Sequence, residues 1–379
     1  MDSKKLEEMQ DTMQDHTNKT QNPGDIVLDV QNLQVSFHTY AGEVKAVRGI
    51  DFYLRQGETL AFVGESGCGK TVTAKAVMQL LKVPPAEIKP GSVINFAGEN
   101  VLTMDKKRLR NYKGNDVGMI FQDAMTSLNP TMTCGKQIEE SLRIHTDLSK
   151  EECKKQAIEM LRLVEIPNPE ARYRQYPHEL SGGMRQRVMI AIALACRPRI
   201  MIADEPTTAL DVTIQAQIMS LLRDLKEKNN TAIILVTHDL GVVANFADRI
   251  QVMYAGQVVE SGTTQDIFKN PQHPYTWALL KSIPRVDGEG KEDLYSLYGT
   301  PPDLILPLEG CPFTDRCDYA MQICREQHPA KTEFGNHHCA YCWLHHPQAP
   351  SLGAFPEAQT RFDQDFALKK TATTGVEED

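Results

Sequence analysis

The stretch that most constrains this chain is Gly64–Thr71, GESGCGKT, which fits the pattern Gly-x4-Gly-Lys-Ser/Thr without a mismatch. It follows an apolar run, Thr59-Leu60-Ala61-Phe62-Val63, that reads as a buried strand. It precedes Val72 to Leu81, which reads as the start of a helix. A glycine-rich turn between a strand and a helix leaves several backbone N–H groups unpaired and aimed at one spot, and the helix dipole adds to their pull on an anion. Gly64, Glu65, Ser66, Gly67, Cys68 and Gly69 would form the cradle for a nucleotide's phosphates. Lys70 would reach the β- and γ-phosphates, and the Thr71 hydroxyl would ligate Mg²⁺. A chance glycine turn is the competing reading, and the strand and helix on either side argue against it. Cys68 fills a variable position of the loop and is given no redox role.

The chain has 379 residues, enough for one large domain or two. It is 41% hydrophobic and 24% charged, as an ordinary globular protein is. A net charge of −9 counts against a dedicated nucleic-acid binder, which would present a basic stripe. No apolar run is long enough to span a membrane. The opening MDSKKLEEMQDTMQD has no apolar core of the kind a signal peptide needs, so the chain is expected in the cytosol. In that reducing compartment its nine cysteines are expected to stay free or to bind metal rather than pair.

Residues 1–24 are polar and read as a disordered tail. From Ile26 the pattern alternates as a strand does, turns at Tyr40-Ala41-Gly42-Glu43, and alternates again to Leu54, which suggests a small antiparallel sheet. Gly91 to Val101 reads as another strand pair, and Val117 to Phe121 as a short buried strand ending at Gln122. Residues 133–165 read as helical. Ile200 to Asp204 and Ala232 to Thr237 read as strands and Val252 to Glu260 as a hairpin, with helices at Val188 to Cys196 before them and at Ile214 to Lys226 between the two strands. Strands alternating with helices give an α/β fold class with a parallel sheet.

Asp204-Glu205 ends an all-apolar strand, where Asp204 can order the Mg²⁺ shell. Glu205 can polarise a water for in-line attack, a general-base role that suits hydrolysis. The bland alternative is a surface acidic pair. Gln122 and His238 each follow a buried strand. Taken alone they would be an exposed loop glutamine and a structural histidine; at the carboxyl ends of parallel strands they become site candidates. Tyr40 could stack on a base or be a plain turn tyrosine.

These residues together carry a family resemblance. Gly64–Thr71, Gln122, LSGGMRQR at Leu180–Arg187, IMIADEP at Ile200–Pro206, TALD at Thr208–Asp211 and His238 come in the order and spacing of an ABC-transporter ATPase. Leu180-Ser181-Gly182-Gly183 is the most specific part. The resemblance covers roughly residues 26–284. It implies a phosphate-loop NTPase core with an antiparallel β-subdomain and a helical subdomain at about 125–195, the whole ATPase domain spanning 25–284. It further implies that Lys70 and the loop amides hold ATP, that Thr71, Gln122 and Asp204 hold Mg²⁺, that Glu205 is the catalytic base and that His238 contacts the γ-phosphate. Tyr40 would stack on adenine. Ser181, Gly182, Gly183 and Arg185 would close over the ATP of a second ATPase subunit, with Asp211 signalling across the dimer.

After about Pro284 the composition changes, and residues 311–342 carry five of the nine cysteines. Cys311-Pro312-Phe313-x-x-Arg316-Cys317, then Cys324 and Cys342, resemble the tail of oligopeptide/dipeptide importer ATPases, of the D type. The run Phe268 to Thr276 resembles the same subfamily, as does Phe37 to Val47. In that family four cysteines hold an iron–sulfur cluster, and four thiolates are what a [4Fe–4S] cluster needs. Structural Zn²⁺ is the alternative, although paired Cys-x-x-Cys knuckles are missing. Cys339 is a surplus candidate. His337, His338, His345 and His346 are expected to be solvated. The extension is placed at 285–347, and 348–379 read as a second disordered tail. The resemblance thus implies an ATP-hydrolysing subunit of a peptide importer at the cytoplasmic face of the cell membrane. Its partners would be a second ATPase subunit in a heterodimer, two membrane-spanning permease subunits and, indirectly, an extracytoplasmic peptide-binding protein. Import of nickel or another small solute is the nearest rival. A soluble non-transport ABC ATPase is the more distant one, since such proteins carry two ATPase units or a long coiled coil.

Overall fold

The computed structural model describes residues 26–207, 212–282, 297–335 and 337–350. The first expected tail, the second from residue 351 on, and Asp211 lie outside the described residues. The amino-terminal strands are β1 (Ile26–Thr39), β2 (Gly42–Arg55), β3 (Thr59–Val63), β4 (Ala86–Ile88), β5 (Val93–Phe96) and β6 (Glu99–Asn100). Later come β7 (Val117–Ile120), β8 (Ile200–Asp204), β9 (Ala232–Val236), β10 (Arg249–Tyr254), β11 (Gln257–Thr263), β12 (Lys331–Glu333) and β13 (Cys339–Tyr341).

Two sheets organise the chain. One is antiparallel, in the order β2-β1-β5-β6 with β4 also on β1. The other has eight strands in the order β12-β13-β11-β10-β3-β9-β8-β7. Its run from β10 to β7 is parallel throughout. The side chains of β3, β8 and β9 are buried on both faces, which is why these segments are unbroken apolar runs. Successive residues feed different cores. Ala61 and Val63 join the core shared with the helical region, whereas Leu60 and Phe62 join the core beneath the antiparallel sheet.

The segment expected as one helix over 133–165 is two, Cys134–His145 and Lys150–Leu163. Ser149 starts the second with a capping box, its hydroxyl accepting from the Glu152 N–H while the Glu152 carboxylate accepts from the Ser149 N–H. The cysteine-bearing extension is not a separate appendage. Its hairpin β12–β13 pairs through Ala340 and Cys339 with Glu260 and Ser261 of β11, extending the core sheet.

Candidate functional site

Four parallel strands deliver their following residues to one place. Gly64 follows β3, Glu205 follows β8, His238 lies two residues past β9, and Gln122 two past β7. This is the carboxyl end of the sheet, where open α/β folds bind ligands.

The loop after β3 owes its path to glycine. Gly64 sits at φ 148°, and a Cβ there would lie 2.2 Å from the Met253 carbonyl oxygen. Gly69, at φ 105°, forms the N-cap of the helix Lys70–Val77. Lys70 is buried, and its Nζ donates to the carbonyls of Gly64 (2.6 Å) and Glu65 (2.9 Å), so the ammonium is held inside the loop it serves. Cys68 is buried beneath the same loop, and burial pushes its thiol up, against a reactive role. Ser66 and Gly67 are exposed.

The acidic residues fall as the strand pattern predicts. Asp204 is 2% exposed, and its Oδ1 accepts a hydrogen bond from Thr71 Oγ1 at 2.9 Å. Burial pushes the Asp204 carboxyl up, with the Thr71 hydroxyl bond opposing that shift. Glu205 has φ 48°, a left-handed backbone for a non-glycine residue, and its N–H donates to the Val236 carbonyl. Its carboxylate is held from two sides. Gln122 Nε2 donates to Oε2 at 2.9 Å, and His238 Nδ1 lies 3.3 Å from Oε1. Gln122 and His238 are both exposed, so the face of the site is open. The bonded pair of Thr71 Oγ1 and Asp204 Oδ1 offers oxygen donors of the hard kind that Mg²⁺ prefers.

Ser181, Gly182 and Gly183 stand at the start of another helix. Ser181 caps the helix Gly182–Leu194, accepting from the Met184 N–H at 3.3 Å. Ser181 and Gly182 are exposed, and Arg185 is half-buried behind them. Tyr40 is fully exposed at the tip of the β1–β2 hairpin and touches neither group.

In the extension, burial pushes Cys311 up and raises Cys317 and Cys342 to about 12. Each of these three is pushed further up by others of the set, Cys324 included, so the four thiols are neighbours. Among the described residues, however, no three of their sulfurs lie within 4.8 Å of one another. The thiols are thus not gathered as one tetrahedral zinc ion requires, and an iron–sulfur cluster is not shown. The histidines differ from expectation at two positions, His338 and His345. His338 is not solvated: it is 3% exposed and bonded at 2.9 Å to Glu260, which is fully buried. A buried carboxylate needs such partners, and Glu260 also accepts from the N–H groups of Gln272 and His273. His345 is half-buried against the Gln272 carbonyl, whereas His337 and His346 are exposed.

Two further residues meet the loop. Tyr275 Oη accepts from the Glu65 N–H at 2.8 Å, and Arg316 holds the Glu65 carboxylate. Arg316 stands inside the cysteine motif, but nothing in the sequence says that it reaches the phosphate loop.

Comparison with known proteins identifies the family. Residues 47–208 match the model of the ABC transporter family, and residues 259–324 match that of the oligopeptide/dipeptide transporter C-terminal region. The chain is 55% identical over 332 residues to an oligopeptide transport ATP-binding protein of Bacillus subtilis, covering 88% of this chain and 92% of the relative. A dipeptide transport ATP-binding protein of Lactococcus lactis is 52% identical, covering 86% of this chain and 93% of its own. Among solved structures, an ATP-binding cassette in a dimeric post-hydrolysis state with ADP and Pi has a TM-score of 0.57 and 28% identity, covering 62% of this chain and 98% of that one. Among the described residues no helix is long and apolar enough to cross a membrane. The chain belongs to the ABC transporter ATPases that carry the oligopeptide/dipeptide transporter C-terminal region, and it is an ATP-hydrolysing transporter subunit.

Proposed function

We propose that this chain energises an importer of oligopeptides or dipeptides, working at the cytoplasmic face of the membrane with two permease subunits and a second ATPase subunit. The observation that carries the chemistry is the convergence of Lys70, Thr71–Asp204 and Gln122–Glu205–His238 at one sheet end. Relatives named for oligopeptide and dipeptide transport support the cargo.

In this reading the loop amides and Lys70 bind the triphosphate, and Tyr40 meets the base. Thr71, Gln122 and Asp204 would hold Mg²⁺, which neutralises phosphate charge when bound. Glu205, oriented by Gln122 and His238, takes the proton of the attacking water, and His238 steadies the γ-phosphate. Ser181, Gly182, Gly183 and Arg185 complete the site of a partner subunit, as the exposure of Ser181 and Gly182 suits, and Asp211 relays the state of one site to the other. For the extension we keep the [4Fe–4S] assignment on Cys311, Cys317, Cys324 and Cys342, four thiols of which three are pushed up by burial and by others of the set, Cys324 being buried and those three half-buried. Iron and sulfide lost on Cys317→Ser after anaerobic purification would support it; stoichiometric zinc would overturn it. The domain limits, 25–284 for the ATPase and 285–347 for the extension, are part of the same reading.

The decisive experiment is pull-down of the tagged chain from detergent-solubilised membranes, then reconstitution in vesicles. Co-isolation of two membrane subunits and ATP-driven peptide uptake are expected. Isolation with no membrane partner, or uptake of nickel and not of peptides, would sink the proposal.

A further inference from the structure

Arg316 precedes Cys317 in the extension, yet its side chain ends on the phosphate loop, 251 residues away in sequence. Its Nη1 donates to Glu65 Oε2 at 2.5 Å and its Nη2 to Glu65 Oε1 at 2.9 Å, a two-armed fork on one carboxylate. The guanidinium is itself fixed. Its Nε donates to the Tyr298 carbonyl at 2.9 Å, Nη1 also reaches the Tyr254 hydroxyl at 3.2 Å, and the side chain is 4% exposed. Tyr254, Tyr275 and Phe313 pack ring against ring beneath the pair, with centroids 4.7 to 5.3 Å apart. Pro301, Pro302 and Leu304 of the extension face Glu65 to Cys68 across a cavity of about 160 Å³. The loop therefore has a wall made by the extension.

Glu65 is an awkward residue in this place. Its carbonyl accepts from Lys70, so its backbone belongs to the cradle, while its carboxylate has the same sign as the phosphates to be bound. Like charges at such short range oppose binding, most of all where water is scarce. A carboxylate gripped on both oxygens by a buried guanidinium is neutralised and turned aside. We infer that Arg316 is a positioning residue for nucleotide binding: by clamping Glu65 it lets the extension set the affinity of the phosphate loop. This rests on ATP binding at the loop and not on the cargo or on what the four cysteines hold.

The test uses the full-length protein, with binding of a fluorescent ATP analogue in the presence of Mg²⁺ and steady-state ATPase kinetics in parallel. Arg316→Gln should weaken analogue binding and raise KM for ATP by about tenfold or more, since a freed carboxylate now opposes the phosphates. The kcat should stay within about twofold, because Glu205, Gln122 and His238 are untouched. Arg316→Lys keeps the charge and loses the fork, so an intermediate loss of about threefold is expected. Glu65→Gln combined with Arg316→Gln should recover most of the affinity, because no carboxylate remains to be held. A merely structural arginine would not be rescued in this way. Unchanged affinity in both single Arg316 variants would overturn the inference. So would a double variant as weak as Arg316→Gln alone. Should Arg316→Gln not fold, Arg316→Lys and the double variant still decide between these outcomes. Lys70→Ala is the separate control: if it too leaves binding intact, the loop reading itself has failed, and not the role of Arg316.

Discussion

His273 makes the stability of this protein depend on pH in a calculable way. It N-caps the helix Pro274–Lys281, its Nδ1 accepting from the Tyr275 N–H at 3.0 Å. The ring is 1% exposed, and among the described residues its Nε2 finds no partner. Burial, with a smaller contribution from His345, lowers its pKa from 6.5 to about 3. The group is thus neutral in the folded protein and protonates readily only in the unfolded chain. The stability it confers is fully present above 6.5 and is lost as pH falls from 6.5 toward 3. At pH 5 the unfolded chain gains RT ln(1 + 10^1.5), about 2 kcal/mol, against about 0.2 kcal/mol at pH 7. Any folded value below about 4 gives nearly the same result at pH 5, so the prediction does not hinge on the size of the shift. The perturbation is His273→Asn, which keeps a capping oxygen and removes the titration. Urea unfolding of the nucleotide-free protein, followed by tryptophan fluorescence, reports locally, because Trp277 lies in the helix that His273 caps. The variant will be less stable at both pH values, having lost a ring that packs near Phe313. The native protein should lose about 2 kcal/mol more than the variant between pH 7 and pH 5. Equal losses would refute the reasoning.

Glu205→Gln should bind ATP normally while kcat falls at least about 100-fold, the contribution of a positioned general base; rapid-quench turnover checks it. Asp204→Asn should raise the melting temperature of the nucleotide-free protein by a few degrees and abolish Mg²⁺-dependent hydrolysis. The sign follows from the raised carboxyl of Asp204: its buried charge lowers stability as pH rises above its ordinary value of 3.8, and the amide removes that charge; calorimetry decides. Gly64→Ala should cost roughly 2 kcal/mol or more, because the added Cβ meets a backbone oxygen at 2.2 Å. Gly67→Ala, with φ 81° and no atom within 4 Å, should cost only about 1 kcal/mol of left-handed strain, so the order of the two melting points is the test.

What the sequence made legible follows from local rules. Leu60 to Val63 and Ile200 to Ala203 are apolar without interruption because both faces of each strand are covered, and the site candidates could be placed by standing at or just past the ends of such runs. The break between the helices at Cys134–His145 and Lys150–Leu163 was also written locally, in the Ser149-x-x-Glu152 box, but the continuing apolar periodicity outweighed it. Other features had no local signal. Lys331-Thr332-Glu333 is too short and polar to be read as a strand, and it is one only because Tyr341, Ala340 and Cys339 lie beside it. His338 looked solvated because its partner Glu260 is 78 residues away. The grip of Arg316 on Glu65 is likewise a product of tertiary contact.

The hairpin β12–β13 has a practical consequence for anyone wishing to simplify this protein. Without it, the sheet would have six strands and end on β11, presenting that strand's backbone N–H and C=O groups to any passing strand. The hairpin ends the sheet instead on three residues whose outer charges, Lys331 and Glu333, pair at 2.8 Å, a short and polar border that discourages further growth. Removing everything after Pro284 would therefore not yield a minimal ATPase. It would yield a chain prone to stick to its own copies, and the loss of activity on such a deletion would say more about solubility than about catalysis.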